Sequence, residues 1–430
     1  MDLFFDFFSF SDPNVVYVTL GSVLLTACSA MAGTFTFLDK KSLLGDAIAH
    51  AVLPGICLGF LVSGTKDPVY LIAGAFITGW LSLWCIEKIT SSTKIKEDTA
   101  IGLILSVFFG VGILMLTAIQ KSGNAAQSGL DQFIFGKAAA LVGQDLLVFS
   151  AVALILLAAV ILLFKEFSLL CFDKDYAAAI GLPVKNLRLV LTGLIVLAVV
   201  AGIQAVGVIL MAAMLITPAA AARFWTNNIK VMIVLASIFG AFSGLSGAFI
   251  SYAAPAMPTG PWIVVVISTI ALFSFFFAPG RGILARMIKQ RQNRMTINEE
   301  NVLKALYQLG EKDNEFMNPR TTENIRSQRS IEQSMLIRVL HRLDRQGYVS
   351  GPAGKWKLTP EGLKKSQRTV RIHRLWELYL TTKMNIAPDH VHDDAETMEH
   401  LITPELEKEL EKQLDFPSVD PHSTKIPERI

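Results

Sequence analysis

Asp46 and His50 stand four residues apart in Gly45-Asp46-Ala47-Ile48-Ala49-His50-Ala51-Val52-Leu53-Pro54-Gly55, within a run otherwise apolar for about a membrane's thickness. On a helix this spacing brings a carboxylate and an imidazole to one face, close enough to share a cation. An ionisable side chain among lipid-facing residues is costly, so such groups usually face a bundle interior and mark an ion path. One oxygen and one nitrogen donor suit Mn²⁺, Fe²⁺ or Zn²⁺ and are poor for Cu(I), which prefers sulfur. Two donors are few for tight binding, as befits a transit site that must release its ion, and a dimer could bring two such pairs together. The same two residues could instead form a buried hydrogen bond that only locks helices together.

A second group of donors lies near the other end of the chain. His373 and Glu377 are again four apart, and His392, Glu396, Glu399 and His400 follow at spacings of four, three and one. Those last four can share one helical face and form a hard-to-borderline ligand set. Clusters of this kind also arise on charged helices that bind nothing.

The elements that must position these residues fall into two parts. Of 430 residues 52% are hydrophobic and the net charge is only +3, too small to name a partner. From Val15 to about Pro279 apolar runs succeed one another; from Arg281 the chain is charged and ordinary. The first part reads as an all-α polytopic membrane domain over residues 14–280 and the second as soluble. A linker is expected over 281–295, a winged helix-turn-helix over 296–368, and a helical metal-binding and dimerisation domain over 369–430. Cys28, Cys57, Cys85 and Cys171 show no CxxC spacing and read as packing residues. Met1-Asp2-Leu3-Phe4-Phe5 lacks a basic n-region, so no cleavable signal peptide is expected.

The run of Asp46 and His50, extending to about Ser63, and the runs near 14–38, 69–88, 101–119, 145–165, 230–252 and 260–278 are each long enough to span. The stretch from Leu187 to Trp225 is about twice the ~20 residues of one span, so it divides near Gly207, with the second helix interrupted at Pro218. Nine spans result. Residues 120–143 are amphipathic and too polar to span. A short helix, Asp173 to Ile180, is stopped by Gly181 and Pro183 in the connection after the fifth span. It reads equally as a solvated linker or as an element that a cytoplasmic motor pushes.

Lys40/Lys41, Lys88/Lys94/Lys96, Lys165/Lys174/Lys185/Arg188, Arg223/Lys230 and Arg281/Arg286/Lys289 fall on one side if the N-terminus is outside. Lys66, Lys121 and Lys137 are the main exceptions. The rich side is cytoplasmic by the positive-inside rule, and an odd span count puts the charged C-terminal part inside too.

In the soluble part, Val302, Ala305, Leu306 and Leu309 keep helical spacing, helices are expected over Thr321–Ile325 and 330–346, and Tyr348–Leu358 reads as a wing. Arg326, Arg329, Arg338, Arg342 and Arg345 could contact DNA phosphates, although winged helices also dock proteins.

The membrane part resembles the ABC-3 family of metal permeases. Its Gly45–Gly55 stretch is similar to the family's GDALSHAVLPG signature, Glu97-Asp98-Thr99-Ala100-Ile101-Gly102 to its EDTAIG element, Val206–Leu210 with Ile216–Ala220 to VGVLL…IPAA, and Pro258-Thr259-Gly260-Pro261 to its PTGP turn. The resemblance covers roughly 15–280. It implies a bacterial inner-membrane permease for Mn²⁺, Zn²⁺ or Fe²⁺ that dimerises with itself or a related permease. It also implies supply by an extracytoplasmic metal-binding protein, drive by a cytoplasmic ATPase, and Asp46 and His50 at metal-contacting positions. Glu97, Asp98, Asp173, Asp175 and Gly181 are the expected ATPase-coupling residues. No GxxxxGK[ST] occurs, so nucleotide and its hydrolysis belong to a separate subunit and this chain is not itself an enzyme.

Residues 371–380 and 391–400 resemble the metal-binding and dimerisation domain of the DtxR/MntR repressors, with Asp415-Phe416-Pro417 and Asp420-Pro421-His422 closing it. On that resemblance His373, Glu377, His392, Glu396, Glu399 and His400 are regulatory metal ligands. The chain departs from the pattern at Asn301 and Lys304, where the first winged-helix segment of those repressors supplies a ligand. The tail then gauges metal for the transporter, serves as a membrane-tethered or released DNA-binding regulator, or clamps a dimer.

The charge asymmetry generates a direct check: a cysteine placed near Asp12 is labelled in intact cells by an impermeant reagent, and one at Ser92 is not. The reverse pattern would invert the topology.

Overall fold

The computed structural model describes the chain apart from residues 1, 66, 122–135, 137–140, 255–256, 330, 352–353, 385, 387–401, 423 and 429–430. It divides into two compact units, Met1–Arg286 and Met287–Ile430.

In the first unit a short helix α1 (Asp2–Ser9) precedes α2 (Pro13–Leu38), which starts where Asp12 accepts the Asn14 N–H and Pro13 occupies the first turn. Then come α3 (Leu44–Ala51), α4 (Leu53–Ser63), α5 (Pro68–Ser92), α6 (Glu97–Lys121), α7 (Gly143–Leu162), α8 (Phe164–Phe172), α9 (Lys174–Ala179), α10 (Val184–Val206), α11 (Val208–Trp225), α12 (Ile229–Ala253) and α13 (Thr259–Phe277). Nine candidate spans lie among the described residues, with α3 and α4 forming one of them. The residues expected to be amphipathic, 120–143, lie mostly outside the described ones.

Two details differ from the expectation. The second span is two helices, because Pro54 has no N–H to close on the His50 carbonyl and the helix pauses at Val52. Conversely, Pro218 does not interrupt α11, which runs unbroken through it. Neighbouring spans on every side let the bundle tolerate the missing hydrogen bond. The division at Gly207 is as expected, with the glycine at φ +83°, a conformation that other residues adopt only under strain.

Helix α2 is the hub of the unit and packs on α7, α10, α11 and α12. Its buried face is mostly small: Thr19, Gly21, Ser22, Thr26, Ser29, Ala30, Ala32, Gly33 and Thr34. Lipid tails are as apolar as leucine, so helices in a bilayer associate mainly through close packing of small residues. Gly240 and Gly244 on α12 show how close: a Cβ at Gly240 would lie 2.5 Å from the Thr26 carbonyl oxygen, and one at Gly244 2.8 Å from that of Ser22. All four cysteines are free thiols, with Cys57 fully buried.

The second unit begins within the helix α14 (Ile283–Asp313), so residues expected as linker are helical from Ile283. Helices α15 (Thr322–Gln328) and α16 (Gln333–Arg345) follow, with strands β1 (Arg320–Thr321), β2 (Val349–Ser350) and β3 (Lys355–Leu358). The antiparallel sheet has the order β1-β3-β2, with Arg320 opposite Trp356 and Val349 opposite Leu358. This is a winged helix, its core built from Val302, Leu306, Ile325, Leu336, Leu340 and Trp356. Strand β1, two residues long, carries no sequence signal and was not expected. Helices α17 (Pro360–Lys383) and α18 (Pro404–Gln413) complete the unit.

Gly240→Ala should lower the stability of the bundle by about 2 kcal/mol, because the new methyl meets backbone that cannot yield. Gly110→Ala, where nothing lies within 4 Å of the new carbon, is the neutral control in a thermal melt of the purified protein.

Candidate metal centre

Helix α3 is short but tightly held. Ala47, Ile48, Ala49 and Ala51 are fully buried, leaving Asp46 and His50 on the remaining half-buried face. The expected juxtaposition is present: His50 Nε2 lies 3.4 Å from Asp46 Oδ1. The imidazole stands edge-on to Phe109 of α6, ring centroids 4.8 Å apart, which fixes its plane. His50 Nδ1 is buried and has no hydrogen-bond partner among the described residues. A buried polar atom without a partner calls for an explanation, and an ion or a water bound at that nitrogen is one. The described residues hold no group of three or more His, Cys, Asp and Glu placed to share an ion. Among the described residues this face offers a carboxylate and an imidazole, a donor set fit for weak, reversible binding of a borderline divalent ion.

The expected coupling residues occupy two nearby connections. Glu97 and Asp98 open α6, and Glu97 pairs with Lys41 at 3.2 Å. Asp173 caps α9 by accepting the Tyr176 N–H at 2.8 Å, Asp175 is exposed in its first turn, and Gly181, at φ +85°, ends the turn after it. Asp39, at the end of α2, pairs with Lys174 at 3.1 Å and lies 3.9 Å from Lys41. Sequence reasoning missed Asp39, since its pairing with Lys174 joins connections more than a hundred residues apart.

In the second unit His373 Nε2 lies 3.0 Å from Glu377 Oε1, both buried, on α17. His392, Glu396, Glu399 and His400 lie outside the described residues. Lys304 is fully buried, and the Asn301 side-chain oxygen is buried without a hydrogen-bond partner among the described residues. Of the expected DNA contacts, Arg326 is exposed, Arg329 is half-buried, Arg338 donates to the Ser334 carbonyl at 3.2 Å, and Arg342 pairs with Glu299 at 2.7 Å.

An arginine row on α17 is a feature the sequence reading passed over. Arg374 grips Glu311 with two hydrogen bonds of 2.9 and 2.6 Å and donates to the Lys425 carbonyl at 2.5 Å. Burial alone would pull its guanidinium down; Glu311 and Asp420 outweigh that and hold it above its ordinary value. Arg371 pairs with Glu411 and Arg368 with Glu407. The three-residue spacing of the arginines, facing glutamates four apart at 407 and 411, was the available signal.

Nine apolar helices among the described residues, packed through small residues, define a polytopic membrane protein. The chain belongs to the ABC 3 transport family, whose profile it matches over residues 11–278, while residues 359–428 match the iron dependent repressor, metal binding and dimerisation domain. The manganese transport system membrane protein MntC of Bacillus subtilis is 43% identical over 376 residues, 87% of this chain and 86% of that one. The zinc transport system membrane protein TroC of Treponema pallidum is 44% identical over 283 residues, 66% of this chain and 95% of its own. Among solved structures, PsaBC from Streptococcus pneumoniae in complex with Fab aligns with a TM-score of 0.59 at 33% identity, covering 66% of this chain and 99% of that one.

Proposed function

We propose that this chain is the membrane subunit of an ATP-driven importer of a divalent transition metal, manganese or zinc, and that Asp46 and His50 contact the ion in transit. The observation that carries the reading is the pair itself: a carboxylate 3.4 Å from an imidazole whose other nitrogen is buried and unpartnered among the described residues. Support comes from relatives named for manganese and zinc transport. The ion enters from an extracytoplasmic binding protein and leaves toward the cytoplasm. A separate ATPase acts on the α9 connection, and two copies of the bundle, or one copy and a related permease, enclose the path. The N-terminus lies outside and the tail in the cytoplasm. Ion pairs that gather the connections after the first, third and fifth spans at one end of the bundle support that grouping of basic loops.

For the tail, the match to a metal-binding domain favours a metal gauge that slows transport over a DNA switch. Lys304 supports this preference: a buried lysine stands where a repressor's winged helix would supply a ligand. A metal held by the 373–400 region alone stabilises the tail without rearranging the winged helix for DNA.

His50→Ala should abolish metal uptake while the protein inserts at wild-type level, read by metal content of cells and by immunoblot. Uptake equal to wild type at equal protein would remove His50 from the path.

For the tail, Mn²⁺ or Zn²⁺ at ~100 times its dissociation constant should add about 2.7 kcal/mol to stability. The rise in melting temperature should vanish in a Glu399→Ala/His400→Ala double variant. A many-fold, metal-dependent tightening in a DNA gel shift would instead favour the regulator.

A further inference from the structure

The turn between α2 and α3 is built more tightly than a connection requires. Asp39 closes α2, Lys40 sits at φ +59°, and the Lys41 N–H bonds back to the Thr36 carbonyl at 3.1 Å. That left-handed position usually goes to glycine, and a lysine there stores strain, a cost that tends to persist where geometry matters for function. The Leu44 N–H then bonds the Lys41 carbonyl at 3.2 Å, so the turn runs directly into the helix bearing Asp46.

Three ion-pair contacts converge on this turn. Asp39 Oδ1 holds Lys174, the first residue of α9, at 3.1 Å, and Asp39 Oδ2 lies 3.9 Å from Lys41. Lys41 in turn holds Glu97, the first residue of α6, at 3.2 Å. Helix α6 carries Phe109 to the His50 ring. The helix leading into α9 is fastened to the same place by packing: Phe167 stands edge-on to Phe35, and the Cys171 thiol points to the Phe35 carbonyl oxygen at 3.8 Å. A displacement of α9 therefore reaches both sides of the Asp46–His50 pair, through α3 by way of the turn and through α6 by way of Glu97. Lys41 and Glu97 also border an open cavity of about 620 Å³, which leaves their side chains room to part. Asp39 and Lys41 are half-buried, while the Lys174 and Glu97 ends are open to solvent, which screens these pairs and lowers the cost of making and breaking them.

We infer that Asp39 is a positioning residue that transmits movement of the 174–179 helix to the metal path, through Lys41 to α3 and through Lys41 and Glu97 to α6. This rests on the reading of α9 as the ATPase-facing element and goes beyond it by naming the link from that element to the ion.

The test uses the full complex with its ATPase and metal-binding protein in liposomes, measuring ATP hydrolysis and metal uptake on the same preparation. Asp39→Asn should keep hydrolysis within about twofold of wild type while the number of ions imported per ATP falls about tenfold, a usual size for coupling between distant sites. Lys174→Ala should reproduce this and Lys174→Arg should restore the ratio, which a purely structural contribution would not do. Lys41→Gln serves in place of Asp39→Asn if the latter does not insert. A wild-type ratio in Asp39→Asn and Lys174→Ala, or hydrolysis and uptake falling in parallel, would overturn the link. Wild-type complex that hydrolyses no ATP and imports no metal would instead overturn the reading beneath it.

Discussion

Close approach of helix backbones is what keeps the helix bearing Asp46 and His50 in place. Helices α3 and α4 are each too short to span, and in lipid no hydrophobic gradient presses them onto their neighbours. They are held where glycine removes the side chain between two backbones. The Gly45 Cα faces the Leu215 side chain, Gly55 and Gly74 meet carbonyl to Cα, and Gly112 lies against Leu53 and Pro54. Gly33 of α2 sits on the Leu215 carbonyl. With its apolar face fixed at these points, α3 has one orientation, and Asp46 and His50 are left on the face that the packing does not consume.

Much of this was legible in the sequence because it follows from length and period. Apolar runs of span length became spans, Gly207 divided the double-length run, and the four-residue spacing of Asp46 and His50 became a 3.4 Å contact. What the sequence hid depends on tertiary surroundings. Pro54 and Pro218 look alike in one dimension, yet one parts a helix and the other rides inside one, because the surrounding bundle decides what a missing N–H costs. The contacts of Asp39 with Lys174 and of Lys41 with Glu97 join three connections far apart in the chain, and no local pattern announces them. Strand β1 owes its two residues to pairing with β3 and would not be extended alone.

The second unit has its own organising contact. Arg374 ties α14 to α17 by a two-pronged grip on Glu311, and Arg371 with Arg368 ties α17 to α18. The winged helix and the segment that follows it are thus joined by protein charges within the tail. The His373–Glu377 pair lies on the same helix as the arginines, so that helix is positioned before any ion arrives. A site assembled on a pre-set helix binds with less ordering cost than one that must first bring its elements together.

The joining of two units in one polypeptide fixes something that neither unit fixes alone, which is number. A sensor made as a separate protein follows its own promoter and lifetime, and its ratio to the transporter drifts with both. Here every bundle inserted in the membrane brings one tail, so any signal the tail sends is scaled to transport capacity at all expression levels. In the dimer proposed above, two tails would share a volume so small that their effective concentration is on the order of millimolar. Contacts between tails too weak to form in dilute solution become available in that setting. Selection on the tail can therefore favour weak, quickly reversed association, which suits a brake better than a latch.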